Sequence, residues 1–201
     1  MSSSSFVLGL TGGIGTGKST AAKYLADRGF DHVDADAISR DLTAGEGPML
    51  DLLEEIFGGG EEGSILLPGG RLDRKKLAGI VFSDPAKKSR LDEIMFREIG
   101  RIIRERIAAA EGPVLLDAPL LFEAGLDELC DHVILIVCDL EVRLERVCAR
   151  DGARREEVLD RIRNQMSDEE KIARSDTVID NSGSREELYL QLKKFLIDIS
   201  R

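Results

Sequence analysis

Short apolar runs alternate along the chain with stretches in which apolar residues recur every three or four positions. This is the pattern of βαβ units and a mainly parallel sheet. "FVLGL", from Phe6, predicts the first strand, and "KSTAAKYLADRG", from Lys18, predicts a helix stopped by Gly29. "DHVDAD", "GPVLLDAP", "DHVILIVCD" and "DTVID" predict four more strands, each running into an acidic or polar residue where its loop begins. The C-terminal ends of parallel strands line the ligand crevice of such sheets, so chemistry is expected there.

Two stretches depart from strict alternation. Between Ile38 and Glu111, "PMLDLLEEIFGG" and "PAKKSRLDEIMFREIGRIIRERIAAAEG" read as helices separated by the turn-rich "GGGEEGSILLPGG". So long an excursion between two strands predicts a helical substrate subdomain, about residues 45–111. After the fourth strand, "LEVRLERVCARDGARREEVLDRIRNQMSDEEKIARSD" is helical and dense in both charge signs. It is either a solvated face laced with i,i+4 ion pairs or an anion-clamping lid, about residues 141–174, since Arg143, Arg146 and Arg150 recur at spacings that can share one face.

A length of 201 residues fits a single α/β domain with small insertions. Hydrophobic residues at 42% with charged residues at 33% exclude wholesale disorder. The net charge of −10 disfavours a non-specific nucleic-acid binder, so no nucleic-acid partner is expected and an anionic ligand needs locally concentrated positive groups. No apolar run approaches the roughly 18 residues that span a bilayer, so no membrane partner is expected. "MSSSSF" lacks the basic and long apolar parts of a signal peptide, and a cytoplasmic protein is the expectation. Cys130, Cys138 and Cys148 show no C-x-x-C pairing, which argues for passive thiols over a disulfide framework or zinc site.

"GLTGGIGTGKST" carries the chemistry. Gly12, Gly17, Lys18 and Ser19 satisfy G-x-x-x-x-G-K-[ST] between a predicted strand and a predicted helix. The residues Gly12, Gly13, Ile14, Gly15, Thr16 and Gly17 curl the backbone so that its N–H groups face a phosphate. Lys18 reaches the β- and γ-phosphates, Ser19 offers a hydroxyl to Mg²⁺, and Thr20 follows in the helix whose dipole favours the anion. A dinucleotide loop is excluded because Lys18 stands where G-x-G-x-x-G needs glycine. A GTPase is excluded by the lack of N-K-x-D and by a D-x-x-G match, Asp180 to Gly183, that comes too late.

With a triphosphate on that loop, "DADAISR" becomes informative. Asp34 and Asp36 end the second predicted strand, with alternation pointing both to one side and Asp36 nearer the crevice. Asp36 can cap the helix at Ile38, or accept a proton from an incoming hydroxyl as general base, and the two roles can coexist.

The motifs "LTGGIGTGKST", "DADAISR", "LDRKKLAGIVFSDP", "PLLFEAGL", "RLERVCARDG", "RNQMSDEEKIARSD" and "VIDNSG" resemble, in order and over almost the whole chain, the dephospho-CoA kinase family. The resemblance implies a P-loop NTPase fold similar to nucleoside monophosphate kinases: three layers, α/β/α, on a five-stranded parallel sheet, with a helical CoA-binding insertion and a helical lid. It implies ATP-dependent phosphorylation of the ribose 3′-hydroxyl of dephospho-CoA, giving coenzyme A and ADP, with Mg²⁺ as cofactor. Asp36 matches the family's catalytic base, and Lys18 and Ser19 its phosphate and metal contacts. Arg143, Arg146 and Arg150 fall in its lid, and Asn181 falls where related kinases approach adenine. Arg40, which closes "DADAISR", is expected on the acceptor side. One departure is plain: where the family usually carries His-Pro after "LDEI", this chain has Phe96 and Arg97, either a change of packing or a new contact to an anionic part of the acceptor.

Other residues keep two readings. His32 and His132 read as structural or exposed. Asp117 ends "VLLDAP" and is either a carboxylate near the metal or a loop cap. Glu123 orients the acceptor or pairs with an arginine. Arg71 and Arg74 bind the acceptor's diphosphate or pair with Asp73 or Asp84. The rivals to a dephospho-CoA kinase are another small-molecule kinase on the same core, such as an adenylate or shikimate kinase, and a nucleotide-dependent binding module without transfer activity.

Overall fold

The computed structural model describes residues 5–59 and 63–199. Residues 1–4 of "MSSSSF" and residues 60–62 of the turn-rich stretch lie outside the described residues, and with them those parts of the two expectations. The elements run β1 (Val7–Gly12), α1 (Lys18–Ala26), β2 (Asp31–Asp34), α2 (Ala35–Leu42), α3 (Pro48–Phe57), α4 (Arg74–Phe82) and α5 (Pro85–Ala109). There follow β3 (Val114–Asp117), a 3-10 turn (Leu126–Leu129), β4 (His132–Val137), α6 (Leu140–Asp151), α7 (Arg155–Arg163), α8 (Asp168–Arg174), β5 (Thr177–Asp180) and α9 (Arg185–Ile199).

The five strands form one parallel sheet in the order β2-β3-β1-β4-β5. All five predicted strands are present. Every residue of β1 and β3 is buried, as continuous apolar runs in central parallel strands require, whereas β2 and β5 lie at the edges and each bury a single residue, Val33 and Ile179. From β1 the chain passes to the far edge β2, returns to β3, and only then crosses to β4 and β5. The connections therefore change direction beside β1, and the glycine loop leaves β1 at that switch point. α1 and α9 share one core with the sheet, in which Leu8, Leu10, Leu25, Ile134 and Leu192 are buried. Truncating any of these leucines to alanine is expected to cost about 2–5 kcal/mol.

Contact density divides the chain into two compact units, one of residues up to Asp34 together with those from Arg104 onward, the other Ala35–Ile103. The second is helical and has its own core of Leu50, Leu53, Phe57, Ile65, Leu77, Ile80 and Ile94. It begins at Ala35, directly after β2, and leaves the last turns of α5 to the sheet-bearing unit. Asp73 caps α4 by accepting the Lys76 N–H at 2.9 Å, and Asp84 accepts the Ala86 N–H at 2.9 Å at the start of α5.

One expectation is corrected. β2 stops at Asp34, and Asp36 lies in the first turn of α2 rather than in the strand. Ala35 and Ile38 are buried three residues apart, so the helical period takes over from the strand within "DAD" itself. Asp36 is thus neither a strand residue nor the cap of a helix at Ile38, although its charge still favours the N-terminal turn it occupies. The charged stretch after β4 is three helices, α6 to α8. Among the described residues no helix is long and apolar enough to cross a membrane.

Candidate active site

β1 delivers the chain into the glycine loop at Gly12, and α1 takes it up again at Lys18. Gly17, the residue before α1, has φ 85°, a left-handed conformation open to glycine, and a side chain there would run into the Asn181 Nδ2. A Cβ on Gly12 would lie 2.8 Å from the Ile136 carbonyl of β4, so the loop root also needs glycine. Thr16 is buried and donates its hydroxyl to the Gly13 carbonyl at 2.9 Å. Asn181, buried at the end of β5, donates its Nδ2 to the Thr16 carbonyl at 2.7 Å. Ile14 is gripped on both sides: its N–H donates to Gln165 Oε1 and its carbonyl accepts from Arg143 Nε, each at 3.0 Å. The loop is therefore held in shape by side chains from α6, from the α7–α8 connection and from the end of β5. A loop braced in this way needs little reorganisation to present its shape to a ligand.

Lys18 forms an ion pair with Asp117, a buried residue that ends β3. The other carboxylate oxygen of Asp117 lies 3.2 Å from His32 Nε2 on β2. Neither reading of Asp117 from sequence anticipated this arrangement. The hydrogen bond to Asp117 raises the His32 pKa above its ordinary value, against the opposing effect of burial; the charges of Asp117 and Asp34 add to the rise and that of Lys18 subtracts from it. His132 is structural, bonded to Thr177 Oγ1 at 2.9 Å and tilted against the Phe195 ring. The three cysteines are free thiols, and burial pushes Cys130 up to about 12.

The arginines of α6 diverge. Arg143 is buried, and besides holding Ile14 it donates Nη1 to Asp168 Oδ2 at 2.7 Å. Arg146 donates Nη1 to the Asn181 carbonyl at 2.9 Å and lines a cavity of about 230 Å³ with Gly17, Thr20, Asn181, Arg185 and Leu188. Arg150 instead pairs with its neighbour Asp151 at 2.7 Å, with 63% of its side chain exposed.

Ser19 is exposed in the first turn of α1. Among the described residues there is no group of three or more His, Cys, Asp or Glu that could hold a metal ion. A lone hydroxyl beside a phosphate cradle suits a divalent cation that keeps its waters and takes most other ligands from phosphate, rather than one held in an all-protein cage.

In the helical unit, Asp36 and Arg40 are exposed on α2, and Arg71 is exposed ahead of α4. Arg74 donates to Thr43 Oγ1 at 2.6 Å, while Asp73 and Asp84 serve as helix caps. A cavity of about 460 Å³ in this unit is lined by Leu42, Pro48, Met49, Leu52, Arg97 and Arg101, among others. Glu123, in the sheet-bearing unit, accepts the Met166 N–H at 3.3 Å and lies 3.8 Å from Lys171 Nζ, so its partner is a lysine and not an arginine.

Sequence reasoning did not single out Gln165, Lys171 or Arg185, and it read His32 as structural or exposed without its bond to Asp117. Gln165 and Lys171 stand inside a motif already singled out, but only the fold shows what they touch.

A family model described as Dephospho-CoA kinase matches residues 6–187. A dephospho-CoA kinase of Deinococcus radiodurans is 45% identical, with 92% of this chain and 88% of the relative covered. One of Fusobacterium nucleatum is 37% identical, with 94% of this chain and 96% of the relative covered. A crystal structure from Thermus thermophilus is 38% identical and superposes with a TM-score of 0.83 over 98% of both chains. With a family match that takes in the glycine loop, "DADAISR", "PLLFEAGL" and "VIDNSG", this chain belongs to the dephospho-CoA kinase family.

Proposed function

We propose a division of roles for the reaction of this family, ATP-dependent phosphorylation of the ribose 3′-hydroxyl of dephospho-CoA to give coenzyme A and ADP. The observation that carries it is the glycine loop pinned between β1 and α1, with Lys18 and Ser19 opening the helix. Gly12 to Thr20 receive the triphosphate; the Ile14 and Thr16 N–H groups are already bonded to Gln165 and to the Gly13 carbonyl, so the other N–H groups of the loop and the ammonium of Lys18 meet the charge that develops on the transferring group. Asp117, paired with Lys18, keeps that ammonium at the loop. The cavity of Gly17, Arg146, Asn181 and Arg185 takes the base and ribose of ATP. Arg143 braces the loop, and Arg150, whose exposed ion pair is worth little, can turn to phosphate at small cost. The helices α6 to α8 act as the lid.

Ser19 would hold Mg²⁺, which when bound would neutralise negative charge on the triphosphate. The helical unit receives the acceptor. Asp36 orients the ribose hydroxyl and accepts its proton, and Arg40, Arg71 and Arg74 meet the diphosphate. The cavity lined by Leu42, Pro48, Met49 and Leu52 suits the pantetheine arm, with Arg97 supplying a cation there. Replacing Asp36 with asparagine tests the base: turnover is expected to fall roughly 10²–10⁴-fold with ATP affinity unchanged. Near-normal turnover would remove Asp36 from that role.

A further inference from the structure

Among the described residues, Lys171 is the largest fully buried side chain, and its ammonium has no hydrogen bond. The nearest charge is Glu123, 3.8 Å away through Oε1, and Glu123 Oε2 is likewise buried without a hydrogen-bond partner. A buried ammonium facing a half-satisfied carboxylate is a poor source of stability, because desolvation offsets most of the attraction; apolar side chains of similar size in place of both partners are commonly neutral or better. The pair therefore needs an explanation other than stability.

The contacts around it supply one. Glu123 Oε1 also accepts the Met166 N–H, at 3.3 Å. Met166 follows Gln165, whose Oε1 accepts the N–H of Ile14 in the glycine loop at 3.0 Å. The same peptide region is held from the other side by Arg143, itself tied to Asp168 two residues beyond Met166. Space is tight at this junction: a Cβ on Gly13 would lie 2.5 Å from Arg143 Nη2 and 3.3 Å from Gln165 Oε1. A small shift of the α7–α8 connection is therefore felt directly by the loop.

We propose that Gln165 is a positioning residue for phosphoryl transfer, orienting the Ile14 peptide of the phosphate cradle, and that Lys171 acts through Glu123 and the Met166 N–H to seat it. The assignment gives Glu123 a place on the ATP side of the reaction. It rests on the reading of Gly12 to Ser19 as the ATP cradle.

The test compares the full-length wild type with Lys171→Met, Gln165→Ala and the double variant, measuring Tm, kcat and KM for both substrates, and ATP binding by calorimetry. Lys171→Met leaves the Glu123 carboxylate without its counter-charge and is expected to lower Tm; assayed well below that Tm, it is expected to lower kcat/KM for ATP by roughly 10–100-fold, with KM for dephospho-CoA unchanged. Gln165→Ala is expected to show a similar loss, and the double variant to be no worse than the poorer single one, because both act on one chain of contacts. Wild-type kinetics in Lys171→Met, losses that multiply in the double variant, or an effect confined to KM for dephospho-CoA would each overturn the proposal. Calorimetry of the wild type separates this failure from failure of the cradle reading, since only the latter removes ATP binding from the unaltered protein.

Discussion

Asn181 donates its side-chain amide to the carbonyl of Thr16 at 2.7 Å, joining the end of β5 to a glycine loop 165 residues earlier in the chain. The carbonyl of the same asparagine accepts from Arg146 at 2.9 Å. The residue thus links α6, β5 and the loop, and its side chain is committed to protein before any base arrives.

That commitment makes Asn181→Asp informative. The change keeps the shape but turns a donor into an acceptor facing the Thr16 carbonyl. Leaving that buried carbonyl unsatisfied, with a charge against it, is expected to cost at least about 1–3 kcal/mol, read as a lower midpoint in urea denaturation. An unchanged midpoint would mean the bond carries no weight in the folded loop.

Gly17→Ala probes the same junction from the loop. A methyl group there must adopt φ 85° and displace the Asn181 amide. The backbone strain alone is about 1–2 kcal/mol. ATP binding measured by calorimetry is expected to weaken at least tenfold, by roughly 1.4 kcal/mol or more. Wild-type affinity would show that the loop can take another shape and still hold the triphosphate.

His32 gives a pH dependence of definite sign. Its pKa is raised on folding above the ordinary 6.5 by the bond to Asp117, so the folded state holds the proton more tightly than the unfolded one. The stabilisation is complete below about pH 6.5 and is lost as pH rises through the folded value. His32→Gln can still bond to Asp117 but cannot ionise. The difference in unfolding free energy between wild type and this variant is expected to be largest at acid pH and to shrink toward alkaline pH. A difference that grows with pH would contradict the Asp117 contact.

Much of the architecture was legible because it rests on local pattern. The five strands, the helix of Lys18 and the glycine loop each carry their signal within a dozen residues. "DAD" did not, since a strand and a helix meet inside it and either period fits the three residues alone. The bracing of the loop was also hidden, because Gln165 lies 151 residues from Ile14 and Asp117 lies 85 from His32. Only the parallel order of β2, β3 and β1 brings His32, Asp117 and the root of the glycine loop to one end of the sheet. The arginines of α6 looked equivalent by spacing, yet Arg143 turns inward to the loop and Arg150 outward to Asp151.

Transfer to dephospho-CoA of the γ-phosphoryl group of an ATP held at Gly12 to Ser19 is tested most directly by ADP release from the purified chain with MgATP and, separately, dephospho-CoA, AMP and shikimate, with each product identified by mass. ADP release with dephospho-CoA alone, yielding a product of the mass of coenzyme A, is the expected result. No turnover of dephospho-CoA alongside turnover of AMP or shikimate would contradict it.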